Sequence, residues 1–124
     1  MEVTRLYDLL DNYLEKYPTQ EVALAAKKQG QWRKYSIQEY VELTNLLSYG
    51  MLKSGIEPGD KVGIVSSNRP EWNMLDFAIM QIGAVSIPIY PTISQEDYRY
   101  ILNHAEMKMI FIEGKELRNK LKPI

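Results

Sequence analysis

The sequence predicts an α/β fold: a βαβαβ parallel sheet flanked by helices, with an N-terminal hairpin ahead of it. Three observations carry this. KVGIVSS (61–67), AVSIPIY (84–90) and MKMIFIE (107–113) are short apolar runs without strict polar alternation, the pattern of strands covered on both faces. Between them lie two segments of helical spacing, about 69–82 and 94–106, and this alternation implies parallel pairing with right-handed crossovers. Ahead of them VALAA (22–26) and QWRKY (31–35) flank KKQG, whose glycine marks a hairpin.

Each element has a local reason. In residues 4–17, Leu6, Leu9, Leu10, Tyr13, Leu14 and Tyr17 recur three and four apart, one helical stripe that Thr4 can cap and Pro18 ends. SIQE (36–39) is a capping box: Ser36 would accept from the Glu39 amide while Glu39 reaches back to the amide of Ser36. The helix behind it carries Tyr40, Val41, Leu43, Leu46, Leu47 and Leu52 to a stop at Gly55. IEPGD (56–60) is a turn, with Pro58 fixing φ and Gly59 supplying a permissive backbone. Ser94 and Asp97 stand at capping-box positions of the second crossover helix. Pro88 cannot donate to a ladder, so its strand either lies at an edge or bends there. The tail from Lys115 begins a further helix. Residues 1–124 read as one partial domain, with a helix and hairpin over 1–35 and an α/β unit over 36–124.

The totals exclude several functions. With 15 basic and 16 acidic side chains the net charge is −1, which gives no electrostatic case for a nucleic-acid partner. The densest basic stretch, GKELRNKLKPI, is diluted by Glu116 and reads as a solvated helix face. Without cysteine there is no disulfide, thiolate metal site or cysteine nucleophile, and one histidine does not make an internal zinc site. The N-terminus has acids every few residues and no apolar core, so it is not a secretory signal. No run approaches the ~18 apolar residues of a membrane helix. The expected location is cytoplasmic.

SSNRPEW (66–72) follows a buried strand and opens a helix, the place where open α/β sheets bind ligands. A phosphate-cradling turn needs glycines for close backbone approach and usually a lysine. SSNRPEW has neither. The local reading is a helix start: Asn68 as N-cap, Arg69 and Pro70 in the first turn, and Glu71 at N3, where its carboxylate meets the positive end of the helix dipole. Arg69 and Trp72 remain candidates for the wall of a neighbouring pocket. Gly114-Lys115 is too short for a phosphate loop. His104 has no serine or cysteine nucleophile signature beside it, and Asp60, Asp76 and Asp97 form no metal cluster by sequence. No catalytic, cofactor-binding or metal-binding residue is assigned from the residues alone.

The run from Trp32 to Glu113 resembles the N-terminal part of the adenylate-forming acyl-CoA synthetase family. WRKYSIQEYVELTNLLSYGMLKSGIEPGDKVGIVSSNRPEW is similar to its opening pattern of aromatic strand, capped helix, P-G-D-x-V turn, strand and N-x-P-E-W helix start. GAVSIPIYPTIS and SQEDYRYILNHAEMKMIFIE resemble the next strand, helix and strand. The wording of NRPEW and PIYPTIS is most like the long-chain fatty-acid–CoA ligases.

The resemblance implies a two-step reaction in the intact enzyme. ATP and a fatty acid give an acyl-adenylate and pyrophosphate with Mg²⁺, and the thiol of CoA then displaces AMP. The family's phosphate loop, adenine motif, ribose-binding aspartate and catalytic lysine match no position here, so no catalytic residue is carried over. The expectation is therefore an inactive scaffold fragment of the family's large N-terminal domain. Its partner would be the remainder of the ligase chain, and the parent would be cytoplasmic or peripheral at a membrane. The edge where later strands would add is expected to self-associate. The alternative is a stand-alone small-ligand-binding or self-association α/β module.

Overall fold

The computed structural model describes residues 2–123. In chain order it contains α1 (Asp8–Lys16), β1 (Leu24–Lys28), β2 (Gln31–Tyr35), α2 (Ile37–Lys53), β3 (Lys61–Val65), α3 (Pro70–Gln81), β4 (Val85–Ile89), α4 (Gln95–Ala105), β5 (Met109–Ile112) and α5 (Gly114–Leu121). The expected α/β class holds: β3, β4 and β5 form a parallel sheet in the order β4-β3-β5, and β1 and β2 form a separate antiparallel hairpin.

Both faces of the sheet are covered, which is why its strands do not alternate. Val62 and Ile64 point to the α2–α3 side, where they pack with Met51, Ile56, Ala78 and Ile79. Val65 points to the other side with Ile89, against Tyr98 of α4 and Leu121 of α5. Gly63 shares that second face, and a Cβ there would lie 2.5 Å from Met107 Sδ and 3.2 Å from Ile110 Cγ1. A third cluster, of Leu10, Tyr35, Ile37, Tyr40 and Met74, joins α1 and the hairpin to α2 and α3. Burial pushes the Tyr40 phenol up to about 12, with Asp76 adding to the rise.

Pro88 sits in an edge strand, one of the two options its chemistry left open. Val85 donates its amide to Asp60 O at 2.8 Å, and β4 pairs with β3 in register from Val85↔Lys61 to Ile89↔Val65. In a parallel strand the donors to one neighbour are every second residue, so positions 85, 87 and 89 face β3 and the donor missing at Pro88 faces outward.

Three expectations are corrected. The first helix begins at Asp8 and not at Thr4: the Asp8 carboxylate accepts from the amides of Thr4 (3.2 Å) and Arg5 (3.0 Å) and from Arg5 Nη2 (2.9 Å), so the acid captures the chain ahead of it. That register leaves Leu6, Leu9 and Tyr17 exposed. The buried stripe of α2 is Ile37, Tyr40, Thr44, Ser48 and Met51, while Leu46 and Leu52 are exposed. Small polar residues face α3 because they let the helices approach, and Ser48 Oγ donates to Ala78 O at 2.8 Å. The first hairpin strand is 24–28, because the two-residue turn Gln29-Gly30, with φ +51° and +79°, sets the register Lys28↔Gln31.

Candidate functional site

The sheet order defines where a site could lie. β3 leads through α3 to β4 on one side, and β4 leads through α4 to β5 on the other side of β3. The connections therefore diverge between β3 and β5, and the crevice beyond their carboxyl ends is the place where such sheets bind ligands.

The wall of that crevice carries the protein's own carboxylate. Glu113 follows β5, and its amide donates to Val65 O at 2.9 Å, holding it beside the end of β3. Its Oε2 accepts from the Ser67 amide at 2.7 Å, from Ser67 Oγ at 2.7 Å and from Ser66 Oγ at 2.9 Å. Arg69 Nη1 lies 3.6 Å from its Oε1. Arg69 Nε also donates to Glu71 Oε2 at 2.7 Å, and Tyr35 Oη stands 3.5 Å from Glu71 Oε1. One cation thus links the end of β5, the β3–α3 turn and the start of α3, with the hairpin alongside.

The titration of these groups follows from the contacts. Ser67, through hydroxyl and amide, holds the Glu113 carboxyl below the usual carboxylate range. The Arg69 guanidinium does the same for Glu71, and Glu71 in turn raises Arg69. The charged forms of Glu113, Glu71 and Arg69 are favoured by these contacts, as an ionic network requires.

Asn68 does not cap α3, contrary to the sequence expectation. The N-cap is Arg69, in an extended conformation and without a side-chain cap bond, and Pro70 occupies the first helical position. The shift moves Glu71 to N2, where it lies within reach of Arg69. The capping box at Ser36 and Glu39 is formed in full: Glu39 N to Ser36 Oγ is 3.1 Å and Ser36 N to Glu39 Oε1 is 3.2 Å.

Arg69 and Trp72 both line a pocket of about 260 Å³ at the ends of β3 and β5, with Ser66, Glu71 and Glu113. Trp72 lines a cleft of about 610 Å³ beyond β3 and β4, with Ser66, Asn68, Pro88, Tyr90 and Thr92 among its walls. Arg69 is not among that cleft's walls and belongs to the ionic network. His104 stacks on Tyr100, with ring centroids 5.6 Å apart. Asp76 accepts from Ser86 Oγ at 2.7 Å, so it ties α3 to β4. Among the described residues no three His, Cys, Asp or Glu could share a metal ion, and no helix is long and apolar enough to cross a membrane.

The donors at the crevice do not suit a nucleotide phosphate. The serine hydroxyls and the Ser67 amide already serve a carboxylate, which would repel a second anion at that distance. Sequence reasoning assigned no role to Glu113. Its signal was a pair of serines ending one strand and a glutamate ending another, and only the sheet order shows that the two strands are neighbours.

A profile described as AMP-binding enzyme matches residues 10–124. The chain is 38% identical over 84 residues to the long-chain-fatty-acid–CoA ligase FadD15 of Mycobacterium bovis, which covers 68% of this chain and 14% of that protein. It is 31% identical over 116 residues to the long-chain-fatty-acid–CoA ligase ACSBG2 of Xenopus laevis, covering 94% and 16%. It is 32% identical over 98 residues to fatty acyl-CoA synthetase A of Dictyostelium discoideum, covering 79% and 15%. The chain therefore spans about one sixth of the length of these relatives or less. In fold it is similar to VinN, with a TM-score of 0.86 at 15% identity over 98% of this chain and 30% of that one. The fatty acid AMP ligase from Legionella pneumophila gives 0.78 at 12% identity over 92% and 20%.

Proposed function

This chain belongs to the AMP-binding enzyme family, and from that premise we propose that it is the N-terminal scaffold segment of an ATP-dependent long-chain fatty-acid–CoA ligase. In the parent, a fatty acid and ATP with Mg²⁺ give an acyl-adenylate and pyrophosphate, and CoA then gives acyl-CoA and AMP. The segment holds none of these cofactors and is inactive alone; its partner is the remainder of the ligase chain, and the parent works in the cytoplasm or at a membrane surface. Residues 1–35 and 36–124 form one partial domain within it, a reading supported by the core cluster that runs from α1 and the hairpin into α2 and α3.

One observation carries the scaffold role. The Glu113 carboxylate takes up the serine and amide donors at the crevice where a doubly wound sheet would take its ligand. The segment's residues therefore fix loop positions, and the transferring phosphoryl group is stabilised by groups elsewhere in the parent. Exposed Leu46, Tyr49 and Leu52 along one stripe of α2 agree with a piece whose neighbours lie in the same larger protein.

The test compares the 124-residue chain with the protein encoded by the continuing reading frame. Fatty-acid-dependent release of pyrophosphate from ATP is expected of the longer protein and absent from the segment. A rise in the melting temperature of the segment with ATP, AMP, CoA or fatty acid would overturn the scaffold role in favour of a stand-alone ligand-binding module.

A further inference from the structure

The hairpin carries a surface that the site above leaves unused. Between Glu21 and Glu39 there is no acidic residue, while Lys27, Lys28, Arg33 and Lys34 all fall in that interval. The register sorts them. Lys27 pairs with Trp32 and Ala25 with Lys34, so these four share one side of the ribbon. Arg33 lies on the other side, stacked 4.1 Å over Tyr35 and paired with Glu39 at 3.2 Å.

Trp32 is 62% exposed, an unusual state for the largest side chain. A lysine stands directly across from it and another two positions along, and the small Ala25 leaves nothing to overtop the indole. Beneath it a groove of about 420 Å³ runs between the ribbon and the start of α3, lined by Lys27, Trp32, Asn68, Arg69, Pro70 and Asn73 among others, with no carboxylate side chain in its wall.

We propose that the Lys27–Trp32–Lys34 side of the β1–β2 ribbon docks on an anionic lipid bilayer. Trp32 seats at the headgroup level, where an aromatic ring with one N–H finds both apolar and wet surroundings, and Lys27 and Lys34 meet lipid phosphates with their stems along the indole. The chemistry favours a membrane over other macromolecules. Lysine is depleted from the cores of protein interfaces, where an exposed tryptophan would otherwise point. A nucleic-acid strand would want successive aromatic platforms and a basic groove, and this side offers one ring on a chain of net charge −1.

Cosedimentation of the chain with vesicles provides the test. Binding is expected to vesicles of phosphatidylcholine mixed with phosphatidylglycerol at low salt, and not to phosphatidylcholine alone. K27E/K34E is expected to weaken partitioning by more than about tenfold. Vesicle binding should shift the tryptophan emission of the wild type to the blue, and W32F, which keeps Trp72, should lose that shift. All three positions are exposed, so unchanged melting temperatures confirm that the variants fold. Equal binding by K27E/K34E, equal binding to neutral vesicles, or a blue shift that persists in W32F would each overturn the proposal. So would binding to heparin without binding to anionic vesicles. None of these three residues belongs to the switch-point network, so failure here leaves the ligase reading standing.

Discussion

At the scale of single residues, Glu113 is the side chain whose removal is most informative. It accepts three short bonds from Ser66 and Ser67 and is partly open to water, so Glu113→Ala is expected to cost about 1–2 kcal/mol in urea unfolding near neutral pH. The contribution has a defined pH window. The folded carboxyl lies below the ordinary glutamate value of 4.5, so its stabilisation is complete above that value and is lost as the pH falls through the lower folded one. The gap between wild type and variant should therefore be full at about pH 7 and narrow in acid, as the pH falls below the ordinary glutamate value and through the lowered one. A gap of equal size at both would show that the carboxylate charge is not what matters. The helix starts give a second contrast. Ser36→Ala should cost about 1 kcal/mol through the lost capping box, whereas Asn68→Ala should change stability by less than about 0.5 kcal/mol because it caps nothing. Thermal denaturation of the two variants side by side separates these outcomes. The difference was only half legible in the sequence. S-x-x-E and N-x-x-E look alike as strings, but α3 starts one residue later, with Arg69 as N-cap, and Glu71 at N2 pairs with the Arg69 guanidinium.

At the scale of elements, strands were more legible than helix faces. The three parallel strands lie within the apolar runs that predicted them, because continuous apolarity is sufficient for a strand buried on both sides. The face of α2 was misjudged because its leucines outnumber its small residues, and helix–helix approach rewards Thr44 and Ser48 over bulk. The same economy of space operates in β3. A Cβ at Gly63 would press on Met107 Sδ and Ile110 Cγ1, so Gly63→Ala should destabilise by about 1–3 kcal/mol. Met107 is flexible and is the closer neighbour. The double variant Gly63→Ala/Met107→Ala should therefore be more stable than the sum of the single costs by at least about 0.5 kcal/mol. Strict additivity in that cycle would mean that the strain falls on Ile110 or the backbone and not on Met107.

At the scale of the whole molecule, the sheet has two unequal edges. β4 turns the missing donor of Pro88 outward, whereas β5 ends the sheet with an unbroken backbone, so we propose the β5 side as the edge for self-pairing. Sedimentation of the isolated chain is expected to show association that rises with concentration. The Glu113 amide faces β3, so the amide one residue earlier faces outward, and Ile112→Pro should suppress the association without loss of fold; association unchanged in that variant would place the contact elsewhere. None of this edge asymmetry could be read without the order β4-β3-β5, since Pro88 alone allowed a bend as well as an edge. That order also has a meaning in time. On the ribosome the middle strand is made first, and its two neighbours emerge afterwards, one to each flank, so every later strand finds its template waiting. Glu113 emerges last of the clamp. Until it arrives, Ser66 and Ser67 lack that partner, and α5, which brings Leu121 against Val65, follows it.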